Sequence, residues 1–332
     1  MSFELDDTFR PPRWLRGTHL QSMLPSLPVR RGWIERRALS LIRASEEILL
    51  DCGDGVRLQA FASSQVRRGR DPGKRIAVLL HGWEGSADSL YVLSLAQELY
   101  ARDYEVVRLN LRDHGATHHL NREIFHSCRL PEVLGAMRTL QARFGGRPLH
   151  LAGFSLGGNF MLRVAAEARD TKLDVAAVVA VSPVLDPAQT LVALERGFFA
   201  YHTYFVRKWV RSLLKKQAAW PDHYDFAHLG RLRGLREMTA TLVGDFTDFP
   251  SLDAYLSGYA ITGDRLEGID MPATIVTALD DPIIPVHDLR RLARPRSLAI
   301  TVTRHGGHNG FLDHLSSSTF ADRVALAAFD RA

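Results

Sequence analysis

His150-Leu151-Ala152-Gly153-Phe154-Ser155-Leu156-Gly157-Gly158 carries the reading of this chain. An apolar run from Pro148 to Phe154 stops at a serine, and a helical pattern from Leu156 to about Glu167 follows at once. Gly153 and Gly157 flank the serine two residues on either side. This spacing predicts a sharp strand-to-helix turn, because small residues are needed where strand and helix approach most closely. Such a turn lifts the Ser155 hydroxyl above the sheet and aims the Leu156 amide, with the start of the helix, at developing negative charge. Val181-Ser182-Pro183 also follows an apolar run but lacks the flanking glycines, so it reads as a strand end.

Working outward, Ile76-Ala77-Val78-Leu79-Leu80, Val106 to Leu109, Ala176 to Val181, Thr274 to Leu279 and Leu298 to Val302 are short apolar runs typical of buried parallel strands. Helical stretches from about Ser89 to Arg102 and around Leu130 to Arg143 alternate with them. The alternation predicts an α/β fold with a mostly parallel central sheet flanked by helices. Ahead of it, Ile48-Leu49-Leu50-Asp51, a Gly53-Asp54-Gly55 turn and the alternating Val56 to Phe61 form a hairpin signal. The segment before that is rich in Arg and Pro, and reads as an irregular arm packed on the domain. From about Pro183 to Asp270 the alternation breaks into helical, aromatic sequence. An insertion there is most simply a cap over the C-terminal strand edge, where open sheets bind ligands. The expected organisation is an arm over 1–47, a core over 48–182 and 264–332, and a helical cap over 183–263.

The chain has 332 residues, of which 46% are hydrophobic and 24% charged, a globular balance that excludes disorder. Cys52 and Cys128 are the two cysteines, which excludes a disulfide framework or a thiolate zinc site. No apolar run reaches membrane-span length, and the first residues lack the apolar stretch of a signal peptide. A soluble, cytoplasmic protein is the expectation. The net charge is 42 − 37 = +5, almost all from arginine, spread along the chain without a nucleic-acid-binding module. Nucleic acid is therefore not an expected partner. His114, His118, His119 and His126 lack carboxylates at ligand spacing, and no metal is expected. Walker A and G-x-G-x-x-G patterns are absent, and no cofactor is expected.

A serine needs a base, and the base an orienting acid. The strand ending at Leu80 runs into His81-Gly82-Trp83-Glu84-Gly85, where the Trp83 amide would complete an oxyanion hole with that of Leu156. His81 reads as a ring that holds this loop. After Leu279 comes Asp280-Asp281-Pro282-Ile283-Ile284-Pro285. Asp281 is the chosen acid and Asp280 the alternative. The last strand leads to Arg304-His305-Gly306-Gly307-His308-Asn309-Gly310-Phe311, where His308 is the chosen base and His305 a brace. Ser155, Asp281 and His308 thus stand at the ends of three different predicted strands.

These segments resemble the α/β-hydrolase superfamily, and more narrowly its YheT-like branch. The narrower likeness rests on Trp14 to Met23, His81 to Gly85, Gly153 to Asn159, Asp280-Asp281-Pro282 and His305 to Phe311. Within it, Arg16-Gly17-Thr18 stands where Asn-Gly is usual, and Asp113 where many members carry Gly. The resemblance implies an α/β-hydrolase fold and a serine esterase or lipase with a Ser155-Asp281-His308 triad.

Phe198, His202, Phe205, Trp209 and Leu213 share one face of a predicted helix, with Arg207, Arg211 and Lys215 opposite. The apolar side, with Phe198, Phe205 and Trp209, is a candidate acyl-pocket lining. Peripheral membrane contact is the most this helix suggests beyond that. The reading that follows is a carboxylic ester hydrolase acting on short- to medium-chain acyl esters. An acyltransferase using the same residues, and a non-catalytic binding module, are the alternatives.

Overall fold

Eight strands build the sheet that places the site. In the computed structural model, which describes residues 5–226, 229, 232, 234–315 and 318–332, the chain begins with three helices: α1 (Thr18–Met23), α2 (Pro28–Arg37) and α3 (Leu39–Arg43). The first four residues of the expected arm, five residues of the expected cap (227, 228, 230, 231 and 233) and residues 316 and 317 lie outside the described residues. There follow β1 (Ser45–Asp51), β2 (Arg57–Ser63), β3 (Arg75–Leu80), α4 (Leu90–Ala101), β4 (Tyr104–Leu109), α5 (Leu130–Arg143), β5 (Leu149–Phe154), α6 (Leu156–Ala166) and β6 (Val175–Val181). Then come α7 (Pro187–Arg196), α8 (Phe199–Ala219), α9 (Leu235–Phe246) and α10 (Leu252–Gly258). The chain closes with β7 (Ala273–Ala278), β8 (Leu298–Thr303) and α11 (Phe320–Asp330).

The strand order is β1-β2-β4-β3-β5-β6-β7-β8. β1 and β2 form the expected hairpin, β2 meets β4 antiparallel, and every pair from β4 to β8 is parallel. Alternation sends side chains to two cores. Ile76, Val78 and Leu80 join the cluster beneath α5 and α6, while Ala77 and Leu79 join the one beneath α4 and α11. All five are fully buried. Each such leucine or isoleucine contributes about 1.5–3 kcal/mol of transfer free energy.

The arm differs from its expected irregular form. It is largely helical, because Pro28 starts α2 at a position that needs no N–H, and Ile34, Ala38, Leu41 and Ala44 recur at helical spacing on the buried side. The first strand also begins at Ser45, inside the expected arm. The density of arginine disguised this periodicity.

From β6 to β7 the chain makes a helical excursion through α7–α10. Its two ends are held by one side chain. Asn159, fully buried on α6, donates through Nδ2 to Val184 O at 2.9 Å and to Tyr259 O at 2.8 Å. The Ile261 amide donates to Leu185 O at 3.0 Å between the same two segments. Removing the amide leaves two carbonyls without this donor, at a cost of about 1–3 kcal/mol each. Asn159→Ala is expected to lose about 2–4 kcal/mol in urea unfolding. A change below about 0.5 kcal/mol, the range of an uninvolved surface position, would show that the two bonds do not hold the excursion.

Candidate active site

The backbone at Ser155 has φ 52° and ψ −118°, a strained left-handed conformation between β5 and α6. The flanking glycines permit it. A Cβ on Gly153 would lie 2.3 Å from Gly157 O, and one on Gly157 would lie 2.4 Å from both His81 O and Leu80 O. The turn is thus wedged between its own helix and the end of β3, and any side chain at these two positions would push them apart.

His308 reaches the serine from the loop after β8. Its Nε2 lies 3.0 Å from Ser155 Oγ, and its Nδ1 lies 2.9 Å from Asp281 Oδ2. With a carboxylate facing Nδ1, that nitrogen carries the proton, and Nε2 is left as the acceptor toward the hydroxyl. The Asp281 side chain is completely enclosed, and its other oxygen, Oδ1, accepts from the amides of Ile283 and Ile284 at 2.9 Å each. The carboxylate is therefore held at both oxygens.

Asp280 has a different position and different partners. Its Oδ1 accepts from the Gly307 amide at 2.9 Å and its Oδ2 from Thr18 Oγ1 at 3.3 Å. Burial pushes its carboxyl above the usual range, opposed by the Gly307 bond. His305 Nδ1 stands 3.8 Å from the same carboxylate, and its ring is half-buried.

Trp83 lies in the loop after β3, and Leu156 is the first residue of α6. Among the described residues, neither amide donates to another backbone carbonyl. The Trp83 ring stacks on Phe205 (centroids 5.3 Å apart, planes 10° apart) and meets Trp209 edge-on at 5.2 Å. Lys208 Nζ donates to Glu84 O at 2.9 Å, so α8 grips this loop beside Trp83. Burial pushes the Glu84 carboxyl up to about 7, opposed mainly by Lys208.

A cavity of about 740 Å³ opens over the serine. Ser155, Leu156, Trp83 and His308 line its floor, and Phe205, Trp209, Leu191, Leu194, Leu242 and Val243 are among its apolar walls. Phe198 is not among the lining residues. Its ring packs on His19 at 4.6 Å and is partly exposed, because it precedes α8 and turns toward the arm. Arg211 and Lys215, read from the sequence as part of a solvated face, reach the cavity wall, while Arg207 is exposed.

Sequence reasoning missed two sets of residues. The first comes from the arm. Ser22 Oγ accepts from the His308 amide at 2.9 Å and donates to Thr18 O at 2.8 Å. The buried Gln21 accepts from the Leu312 amide through Oε1 and donates to Leu312 O and Leu15 O through Nε2, each at 2.8 Å. These bonds lock a loop in which Asn309 and Phe311 both hold positive φ. The signal was the His19-Leu20-Gln21-Ser22 segment, singled out for its likeness but given no role. The second set is Asp113 and Lys216. Asp113 has φ 58°, a conformation that favours glycine, and its Oδ1 accepts from Lys216 Nζ of α8 at 2.9 Å. The aspartate keeps the strained backbone and adds a buried tie to the helical excursion.

The match to the alpha/beta hydrolase fold model covers residues 78–315. The chain is 30% identical to YheT of Escherichia coli (strain K12), over 93% of this chain and 88% of the relative. It is 21% identical to "Phospholipase ABHD3" of Homo sapiens, over 96% of this chain and 77% of the relative. Among solved structures, the esterase Pf2001 of Pyrococcus furiosus superposes with a TM-score of 0.58 at 13% identity, covering 88% of this chain and 94% of its own.

The histidines near the cavity go to separate partners. His114 Nδ1 bonds Arg112 O at 2.7 Å, and His118 Nε2 bonds Ser212 Oγ at 2.9 Å. His126 rests edge-on against Phe249 and Tyr255. His81 is fully buried, with Nδ1 on Gly82 O at 2.7 Å and Nε2 accepting from the Leu111 amide at 3.2 Å. Accepting at Nε2 requires a neutral ring. Burial lowers His81 to about 4, and burial together with His81 lowers His114 to about 3. Both folded values lie below the free value of about 6.5, so the unfolded chain binds more protons in acid. The stability from keeping these rings neutral is complete above about pH 6.5 and is lost as pH falls from there toward 4 and 3. In urea titrations, wild type is expected to lose up to about 1.4 kcal/mol per pH unit more than His114→Phe between about pH 6 and 4. Parallel curves would mean that His114 protonates freely in the fold.

Proposed function

The chain belongs to the alpha/beta hydrolase family, in its YheT-like branch, and from that premise we propose a serine-dependent carboxylic ester hydrolase working through Ser155, His308 and Asp281. The observation that carries the reading is the single line of contacts at the cavity floor: Ser155 Oγ to His308 Nε2 at 3.0 Å, and His308 Nδ1 to Asp281 Oδ2 at 2.9 Å. His308 takes the proton as Ser155 Oγ attacks the ester carbonyl. Asp281 stabilises the imidazolium that forms and keeps its own proton-free state. The Trp83 and Leu156 amides hold the oxyanion, where each donor is worth about 10²–10³ in turnover. The tetrahedral intermediate collapses, His308 gives its proton to the departing alcohol, and an acyl-enzyme remains. Water, activated by the same His308, then releases the acid and restores Ser155.

The cavity supports a small-molecule ester, since its volume is within the roughly 300–1,000 Å³ of ligand pockets. Apolar side chains from α7, α9 and α10 suit a short- to medium-chain acyl group, and the helical excursion serves as the cap over it. Asp281 is the triad acid in this reading, and Asp280 holds the loop that carries His308.

A fluorophosphonate probe tests the nucleophile without knowledge of the substrate. Wild type is expected to label, and Ser155→Ala to remain unlabelled. Labelling that survives in Ser155→Ala, or its absence from folded wild type, would sink the proposal. Against an ester that wild type hydrolyses, Asp281→Asn is expected to lower kcat by about 10⁴, with Asp280→Asn costing far less. The reverse order would exchange the roles of the two aspartates.

A further inference from the structure

We propose that the outer face of the arm docks on an anionic lipid surface and seats the mouth of the cavity against it. Fifteen large apolar side chains stand exposed among the described residues, and eight of them lie between Trp14 and Ile42. Trp14 and Val29 are each 58% exposed and Trp33 is 39% exposed. On α2, Arg30 and Ile34 are buried, while Val29, Trp33 and Arg36 lie on the opposite, open side. A concentration of exposed apolar surface of this kind marks an interaction site.

Charge selects the partner. From Arg10 to Arg43 the chain carries eight arginines and a single acid, Glu35. Arg10, Arg13, Arg16, Arg36 and Arg43 are exposed, and among the described residues none of the five has a carboxylate partner. Tryptophan and arginine together suit the headgroup region of a bilayer, where anionic lipid attracts each nearby cation. A protein partner or a second copy of this chain would equally cover the apolar groups, but a second copy would bring the same arginines face to face.

The cavity ties the surface to the site. Met23, Leu27 and Arg31, four residues apart, are exposed on the arm and also line the cavity. Across the mouth, Tyr204 of α8 is 46% exposed and lines the cavity too. The arm and the start of α8 are joined there by His19, whose Nδ1 lies 2.9 Å from Tyr201 Oη. An apolar molecule leaving a lipid layer would therefore meet the opening directly. The orientation rests on the hydrolase reading above; the docking surface itself does not.

Co-sedimentation with vesicles tests this without any turnover. Wild type is expected to bind vesicles of phosphatidylcholine mixed with phosphatidylglycerol, to bind phosphatidylcholine alone far more weakly, and to release in high salt. The double variants Trp14→Ser with Trp33→Ser, and Arg13→Glu with Arg36→Glu, are each expected to reduce binding about tenfold or more. Thermal unfolding serves as the fold control, and fluorophosphonate labelling should match wild type because none of the four residues lines the cavity. Absence of wild-type vesicle binding, equal binding to neutral vesicles, or unchanged binding by either folded variant would overturn the proposal. So would a wild-type dimer in light scattering that the tryptophan variant dissolves, which would assign the face to a second copy. A failure of labelling beside intact vesicle binding would remove the hydrolase reading and leave the surface standing.

Discussion

The rest of the molecule is arranged around the left-handed backbone of Ser155. Such a conformation costs about 1–3 kcal/mol and persists only where its surroundings over-determine it. Here they do. The Ser155 amide donates to Val181 O at 2.8 Å, and its carbonyl accepts from Asn159 at 3.0 Å and Val184 at 3.3 Å. Gly157 sits against the end of β3, so the turn has no direction in which to relax. The loop after β3 is brought beside the serine by the same contact, since a Cβ on Gly82 would stand 3.1 Å from that of Ser155. The position of one strained residue therefore sets the spacing of β3, β5 and β6, and with it the floor of the cavity.

Legibility followed the range of the interactions. Strands β3 to β7 were readable because each is a short apolar run buried on two faces, a property of consecutive residues, and the edge strand β8 was readable from its apolar run although it is only partly buried. The turn at Ser155 was readable for the same reason, as its steric demand falls on residues two positions away. The two aspartates after β7 were harder, because both have the right chemistry at the right strand end. What separates them is that Asp281 points to His308 while Asp280 turns to Gly307 and Thr18, and those partners come from distant parts of the chain. Phe198 was assigned by helical spacing to the wall of the cavity, yet helix α8 starts one residue later and the ring follows the arm instead.

The arm was the least legible part. Its contacts with the loop of His308 span 286 to 291 residues of sequence, and local pattern carries no trace of them. Gln21 and Ser22 use side-chain and backbone groups that any polar segment possesses. Only their convergence on residues 308–312 makes them part of the site. Asp113 is similar. In the sequence it stood out only as a departure from glycine, whereas the side chain that it adds meets Lys216, which also donates to the carbonyls of Asn121 and Glu123 and so braces the helical excursion.

Asn159 gathers the Val184 and Tyr259 carbonyls onto one amide, so the chain leaves the sheet and returns to it through a single doorway. Whatever lies beyond that doorway is topologically a loop, however many helices it contains. Its length, its packing and the shape of the chamber it encloses can drift over evolutionary time without any strand having to change its register. Change in the shape of that chamber is thereby separated from preservation of the sheet, and a buried asparagine marks the boundary between the two.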